Sequence, residues 1–308
     1  MKEREFFLPS SDGTHKLRCM EWIPEGEVKG VLQITHGMTE HIGRYKEFGV
    51  WLAEHGIAAI GHDHLGHGKT VVNKDDFGYF GTHGGTECVI KDIRRVTVYA
   101  KKLYPDKKLF LLGHSMGSFF ARKYLSVYKE DPDGFIIMGT GSPADGLLRA
   151  GALLAGAMAK IKGEHFRSKL LYEMSLGGYN KKFEPVTTPQ DWLTRDVELA
   201  KAFGSDELCQ YIFTAAAYRD FFHVMLQDSK AEKAGNIRIN TPILLISGEN
   251  DPVGDDGTGV KAVFDRYKKA GVADLTLKLY EGARHEVLHE LNWEEVFEDI
   301  LQWMELRM

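Results

Sequence analysis

Apolar residues in this chain gather in short runs that stop at glycine or charge, separated by stretches with the three-and-four spacing of helices. "GVLQITHG" (30–37), "IAAIGHD" (57–63), "KLFLLGHS" (108–115) and "GFIIMGTG" (134–141) read as buried strands. Between them, "RYKEFGVWLAEHG" puts Phe48, Trp51 and Leu52 on one helical face, ending at Gly56. "TECVIKDIRRVTVYAKKLYP" (86–105) is a long helix closed by Pro105, and "FFARKYLSVYKE" is another. Ahead of these, "EREFFLP", "SSDG" and "HKLRCMEWIP" read as a β-hairpin turning at Asp12-Gly13.

Strand–helix alternation of this kind predicts a mostly parallel sheet with helices on both faces. It breaks near residue 142. From Ser142 to about Asn240 the pattern is mostly helical and aromatic, with no clear strand. Alternation then resumes with "PILLISG", "GVKAVFDRYKKAG", "LTLKLYEGA" and "WEEVFEDILQWMEL". The expectation is one α/β domain of eight strands, residues 1–141 and 241–308, interrupted by a helical insertion over 142–240.

Composition narrows the function classes without choosing one. The chain has 308 residues, 43% hydrophobic and 27% charged, with a formal net charge of −5. That charge gives no electrostatic reason to expect nucleic acid. No stretch reaches the roughly 18 apolar residues of a membrane span. "MKEREFFLPSSDG" has charges and no apolar run, so it does not read as a secretory signal. Three scattered cysteines, Cys19, Cys88 and Cys209, fit reduced thiols, and the cytoplasm is the expected compartment.

The chemistry centres on Gly113-His114-Ser115-Met116-Gly117, a G-x-S-x-G string between the strand "LFLL" and a helix. In that context the serine sits on a sharp turn that projects its hydroxyl above the sheet. A serine hydroxyl needs a base, and the base needs an orienting acid. The expected chain order is serine, acid, histidine. Asp251 follows "PILLISG" and His285 follows "LTLKLY", both just past strand ends where open sheets place ligands. Asp255 and Asp256 are rivals to the first, His289 to the second. For an oxyanion, one donor is the N–H of Met116. The second is expected from "ITHGMTEH", at the N–H of Met38.

"HDHLGHG" (62–68) raises another possibility. His62, His64 and His67 match the His-x-His-x-x-His part of a metallo-hydrolase signature, but Gly66 stands where that signature has aspartate. Gly66 and Gly68 also read as a tight turn.

Together, "HGMTEHIGRY", "HDHLGHG", "GHSMGS", "SGENDPV" and "GARHEVLHE" resemble the monoacylglycerol lipase and lysophospholipase branch of the α/β-hydrolases, the serine aminopeptidase-type hydrolases. The resemblance implies an α/β-hydrolase fold, a Ser115–Asp251–His285 triad and a helical cap formed by the insertion. It makes "HDHLGHG" a structural loop near the active-site rim, with Asp63, Gly66, Gly68 and Thr70 in the family's places and no metal or cofactor required. Glu40 and Arg44 either form an i,i+4 ion pair or, by resemblance, lie near a glycerol headgroup. His289 is a further candidate substrate contact. Met38 and Thr39 are larger than the lipase's usual residues there.

The insertion is expected to supply an acyl pocket. "LLRAGALLAGAMAKI" (147–161) is apolar on most faces, and its "LLAGAM" stretch has small residues that could leave a channel. An apolar cap face could touch a lipid interface transiently. The reading is a serine hydrolase of carboxylic esters, with single-chain lipids as substrate. Three alternatives stand beside it. A proline-iminopeptidase-type enzyme would need a cap carboxylate among Glu164, Glu173, Asp220 and Asp228. A non-catalytic binding protein on the same fold would not need the complete triad. A metallo-hydrolase would use "HDHLGHG".

Overall fold

The computed structural model describes residues 1–81, 85–128 and 130–308. Its centre is an eight-stranded sheet. The first two strands, β1 (Lys2–Pro9) and β2 (Lys16–Ile23), pair antiparallel as a hairpin with Pro9 opposite Lys16. The Asp12 carboxylate accepts the Thr14 and His15 N–H groups at 2.9 Å each, so the turn satisfies its own backbone. The other six strands run parallel to one another: β3 (Gly30–Thr35), β4 (Ile57–His62), β5 (Lys108–His114), β6 (Gly134–Met138), β7 (Ile243–Gly248) and β8 (Leu275–Tyr280). Their order across the sheet is β1-β2-β4-β3-β5-β6-β7-β8.

The strands β3, β4, β5, β6 and β7 are buried along most of their length because helices cover both faces. On one face α1 (Lys46–Glu54) and α9 (Trp293–Glu305) pack Phe48, Leu52, Val296 and Ile300 onto the sheet. On the other, α2 (Gly85–Leu103), α3 (Met116–Val127) and α8 (Thr258–Ala270) contribute Val89, Ile93, Phe120 and Val263. This is the α/β-hydrolase fold.

Between β6 and β7 the chain leaves the sheet for four helices: α4 (Asp145–Lys162), α5 (Lys169–Ser175), α6 (Val197–Ser205) and α7 (Ala215–Lys233). They form a cap above the carboxyl ends of the strands. The small residues of α4 serve contact between helices. Ala152, Ala155 and Ala159 are buried, and a Cβ added at Gly151 would stand 2.9 Å from the Phe222 ring of α7. Among the described residues no helix is long and apolar enough to cross a membrane.

Candidate active site

Ser115 lies between β5 and α3 with φ 52° and ψ −118°. A non-glycine residue there carries on the order of 1–3 kcal/mol of backbone strain. The turn survives because its surroundings leave no alternative. The Ser115 N–H donates to Met138 O at 2.9 Å, and the Ser118 N–H donates to Ser115 O at 2.9 Å. A Cβ at Gly113 would run into Gly117 O, and one at Gly117 into Thr35 O. Strand and helix are thus too close for side chains at either position.

Asp251 and His285 come together from the ends of β7 and β8. His285 Nδ1 is 2.9 Å from Asp251 Oδ1, and both residues are buried. The Asp251 carboxylate also accepts from Ser247 Oγ at 2.9 Å and from the Val253 N–H at 2.8 Å. Burial works against its charge, but His285 and these donors outweigh it and hold the carboxyl below its usual range. The rivals are elsewhere. Asp255 and Asp256 are exposed, and Asp256 pairs with Lys182. His289 Nδ1 faces Glu286 at 3.0 Å and its Nε2 faces Arg44 O at 3.2 Å.

Ser115, His285, Gly37 and Met38 line one cavity of about 340 Å³. A Cβ placed on Gly37 would be 3.0 Å from Ser115 Cβ, so the β3–α1 loop lies directly against the serine. As the first residue of α3, Met116 has an N–H without an intrahelical acceptor. Among the described residues no protein acceptor is found for it or for the N–H of Met38. The rest of the wall is mainly apolar and comes from the cap, including Leu148, Leu171, Phe221 and Met225.

Glu40 forms the expected pair with Arg44, 3.0 Å apart, but the pair belongs to a larger buried network. Arg44 meets Glu286 through two hydrogen bonds of 2.6 and 2.7 Å. Glu40 accepts from the Gly37 N–H, from Tyr45 Oη at 3.0 Å, and lies 2.8 Å from His114 Nδ1. Burial opposes charge on both partners of that last contact. Their mutual attraction prevails, holding Glu40 down at about 2 and raising His114. Of the three residues expected to contact substrate, Glu40 reaches the cavity wall. Arg44 and His289 instead line a separate surface groove, and both contact Glu286.

Two further expectations change. The "LLAGAM" stretch does not line the cavity; α4 presents Leu147, Leu148 and Gly151 to it, while Gly156 faces Arg219. Nor is "HDHLGHG" at a rim, because His62, His64 and His67 are wholly buried. Gly66 (φ 75°) and Gly68 (φ 50°) make the turn, and Asp63 accepts the N–H groups of Ile42 and Lys69 at 2.8 Å each. The histidines are only partly hydrogen-bonded: His62 Nδ1, His64 Nε2 and His67 Nε2 have no partner among the described residues. They do not form a convergent ligand set. The described residues contain one group of three potential ligands within 4.8 Å of one another, and it is His41, Asp206 and Cys209.

Three neighbours of the site have no role predicted by the sequence. Trp192, from the insertion, stacks on His285 with ring centroids 5.1 Å apart. The backbone beside it clasps the histidine loop, with the Glu286 N–H donating to Leu193 O at 2.7 Å. The His114 ring lies 4.9 Å from that of His285. Glu286 pairs with Arg44 across 242 positions, and only its place next to His285 could have drawn attention to it.

The family model for serine aminopeptidases, S33, matches residues 26–292. The chain belongs to that family. Human monoglyceride lipase is 29% identical over 307 residues, covering 97% of this chain and 90% of the human one. The monoglyceride lipase homologue of monkeypox virus is 28% identical over 294 residues, covering 93% of each. In structure, a thermostable carboxyl esterase of Bacillus coagulans, solved in complex with glycerol, matches with a TM-score of 0.90 at 25% identity, covering 99% of this chain and 98% of the esterase.

Proposed function

We propose that this S33 protein is a serine hydrolase of carboxylic esters acting on single-chain lipids of the monoacylglycerol type. The observation that carries the reading is the buried Asp251–His285 pair, 2.9 Å apart, whose histidine lines one largely apolar cavity together with the strained Ser115. Ser115 Oγ attacks the acyl carbon, and His285 takes its proton and returns it to the leaving alcohol. Asp251 orients the ring and stabilises its cation. The N–H groups of Met38 and Met116 hold the oxyanion. Water repeats the sequence on the acyl-enzyme and releases the acid.

The substrate class rests on the wall and on the relatives. The cap lines the cavity with hydrocarbon, and burying each methylene is worth about 0.8 kcal/mol. Glu40 and Glu286 add carboxylates to that wall. Monoglyceride lipases and a glycerol-bound esterase are the kinds of protein this chain is similar to. The peptidase alternative has less support, since none of Glu164, Glu173, Asp220 and Asp228 is on the cavity wall. Tyr79 bonds Glu164, and Arg219 bonds Asp220 at 2.7 Å. The exposed Leu147, Leu153, Leu170 and Met174 of the cap suit transient contact with a lipid surface. The buried free thiols of Cys19 and Cys209 suit the cytoplasm.

The test is a panel of p-nitrophenyl esters of graded acyl length, run beside monoacylglycerol, lysophosphatidylcholine and a proline arylamide. Rates should climb with chain length to a plateau, and monoacylglycerol should be the best natural substrate. Faster cleavage of the arylamide than of every ester would overturn the assignment.

A further inference from the structure

We propose that His41, Asp206 and Cys209 form a binding site for a soft divalent cation such as zinc, stitching the cap to the loop that carries Met38. One potential ligand atom from each lies within 4.8 Å of the other two. The donor set is imidazole, carboxylate and thiolate, a combination suited to zinc with a fourth position left for water. Cys209 is 4% exposed, and no hydrogen-bond partner of its Sγ is found among the described residues. A buried, unpartnered sulfur close to an imidazole and a carboxylate is what a metal would satisfy.

The rest of the pocket is compatible. His41 Nε2 is 2.8 Å from Asp206 Oδ2, so two ligands already lie side by side, and a cation would replace the hydrogen bond between them. Asp206 lines a surface groove with Gly43 and Arg44, which gives a cation a way in. Arg44 is the nearby positive charge, but Glu286 and Glu40 already pair with it. Binding has a proton balance. The Cys209 thiol gives up its proton as the sulfur–metal bond forms, so one proton is released per cation. The imidazole stays neutral, its single proton moving to the nitrogen that does not meet the metal. The Gly43 N–H contact to Nδ1, at 3.2 Å, then gives way if that nitrogen takes the proton.

The site's place suggests an effect. Asp206 directly follows α6, whose Phe203 touches both the cavity and the groove and carries the Arg44 guanidinium 4.7 Å above its ring. His41 ends the segment that begins at Gly37 and Met38. A bound cation would tie these two together and hold Phe203 against the cavity, slowing large acyl esters more than small ones.

The experiment uses the full chain, stripped with chelator and titrated with cadmium, a spectroscopic stand-in for zinc. Wild type should develop the ultraviolet charge-transfer band of a cadmium thiolate at one cation per chain, releasing one proton. Cys209→Ser should lack the band. His41→Gln and Asp206→Asn should bind at least about tenfold more weakly, a loss typical even of groups outside the ligand sphere. Absence of the band in wild type rejects the site, whatever the variants do. Retention of full affinity in both His41→Gln and Asp206→Asn also rejects it, leaving a lone thiol. A second arm adds zinc during ester hydrolysis: the long-chain rate should fall in wild type and not in Cys209→Ser. Equal inhibition of both would place the inhibitory zinc elsewhere. The band does not depend on ester hydrolysis, so failure of the site and failure of the proposed activity are distinguishable.

Discussion

Glu40 is a single side chain holding several parts of the site. Its carboxylate fixes Gly37, and through it the loop carrying Met38, while also facing His114, Tyr45 and Arg44. Removing one charge from a buried pair leaves its partner uncompensated. Glu40→Gln should therefore cost about 3 kcal/mol in a denaturant titration and lower kcat more than it raises KM. Unchanged stability would contradict the ion-pair account. Much at this scale is legible in local strings. Ser115 announces itself by flanking glycines on a strand-to-helix turn, and Asp251 and His285 by their places after apolar runs. What the strings cannot give is pairing at a distance. The i,i+4 spacing of Glu40 and Arg44 predicts their contact but not Glu286, which shares Nη1 of the guanidinium with Glu40 and also takes Nη2. Trp192 is equally silent, because its partner His285 belongs to another segment.

Among the elements, α4 shows how composition can mislead. Its small residues suggest an open channel, yet Ala152, Ala155 and Ala159 are buried, and Gly151 lies against Phe222 of α7. Periodicity identifies α4 as a helix; which neighbour its small face meets depends on tertiary packing. The acyl wall is instead the face bearing Leu147, Leu148 and Gly151. Leu148→Trp should shorten the preferred acyl chain while leaving short esters near the wild-type rate. Gly156→Trp points at Arg219 and should leave chain-length preference alone. Ala155→Leu overpacks the seam and should cost about 1–3 kcal/mol with equal loss on all chain lengths. Rates on butyryl and long-chain esters, with a melting curve for each variant, separate the three. A Gly156→Trp enzyme with shortened preference would contradict this placement of the wall.

For the molecule as a whole, the parallel sheet was legible because alternation of apolar runs with helices allows few other folds. The state of its buried histidines was not, since "HDHLGHG" looks polar. Burial pushes His67 down to about 4, so it stays neutral in the folded protein while the unfolded chain protonates near 6.5. The unfolded state then binds more protons, and stability must fall as pH drops from about 6.5 toward 4. His67→Gln removes that term. Its stability should decline less steeply on acidification, by up to about 1.4 kcal/mol per pH unit. Parallel curves for variant and wild type would show that His67 titrates alike in both states. The central claim is that Ser115 is the nucleophile of an ester hydrolase. The most direct measurement is the rate of pure Ser115→Ala on a long-chain monoacylglycerol, with folding checked by its melting curve. The loss should be on the order of 10⁴-fold or more. A folded Ser115→Ala protein that hydrolyses the ester at the wild-type rate would contradict the mechanism outright.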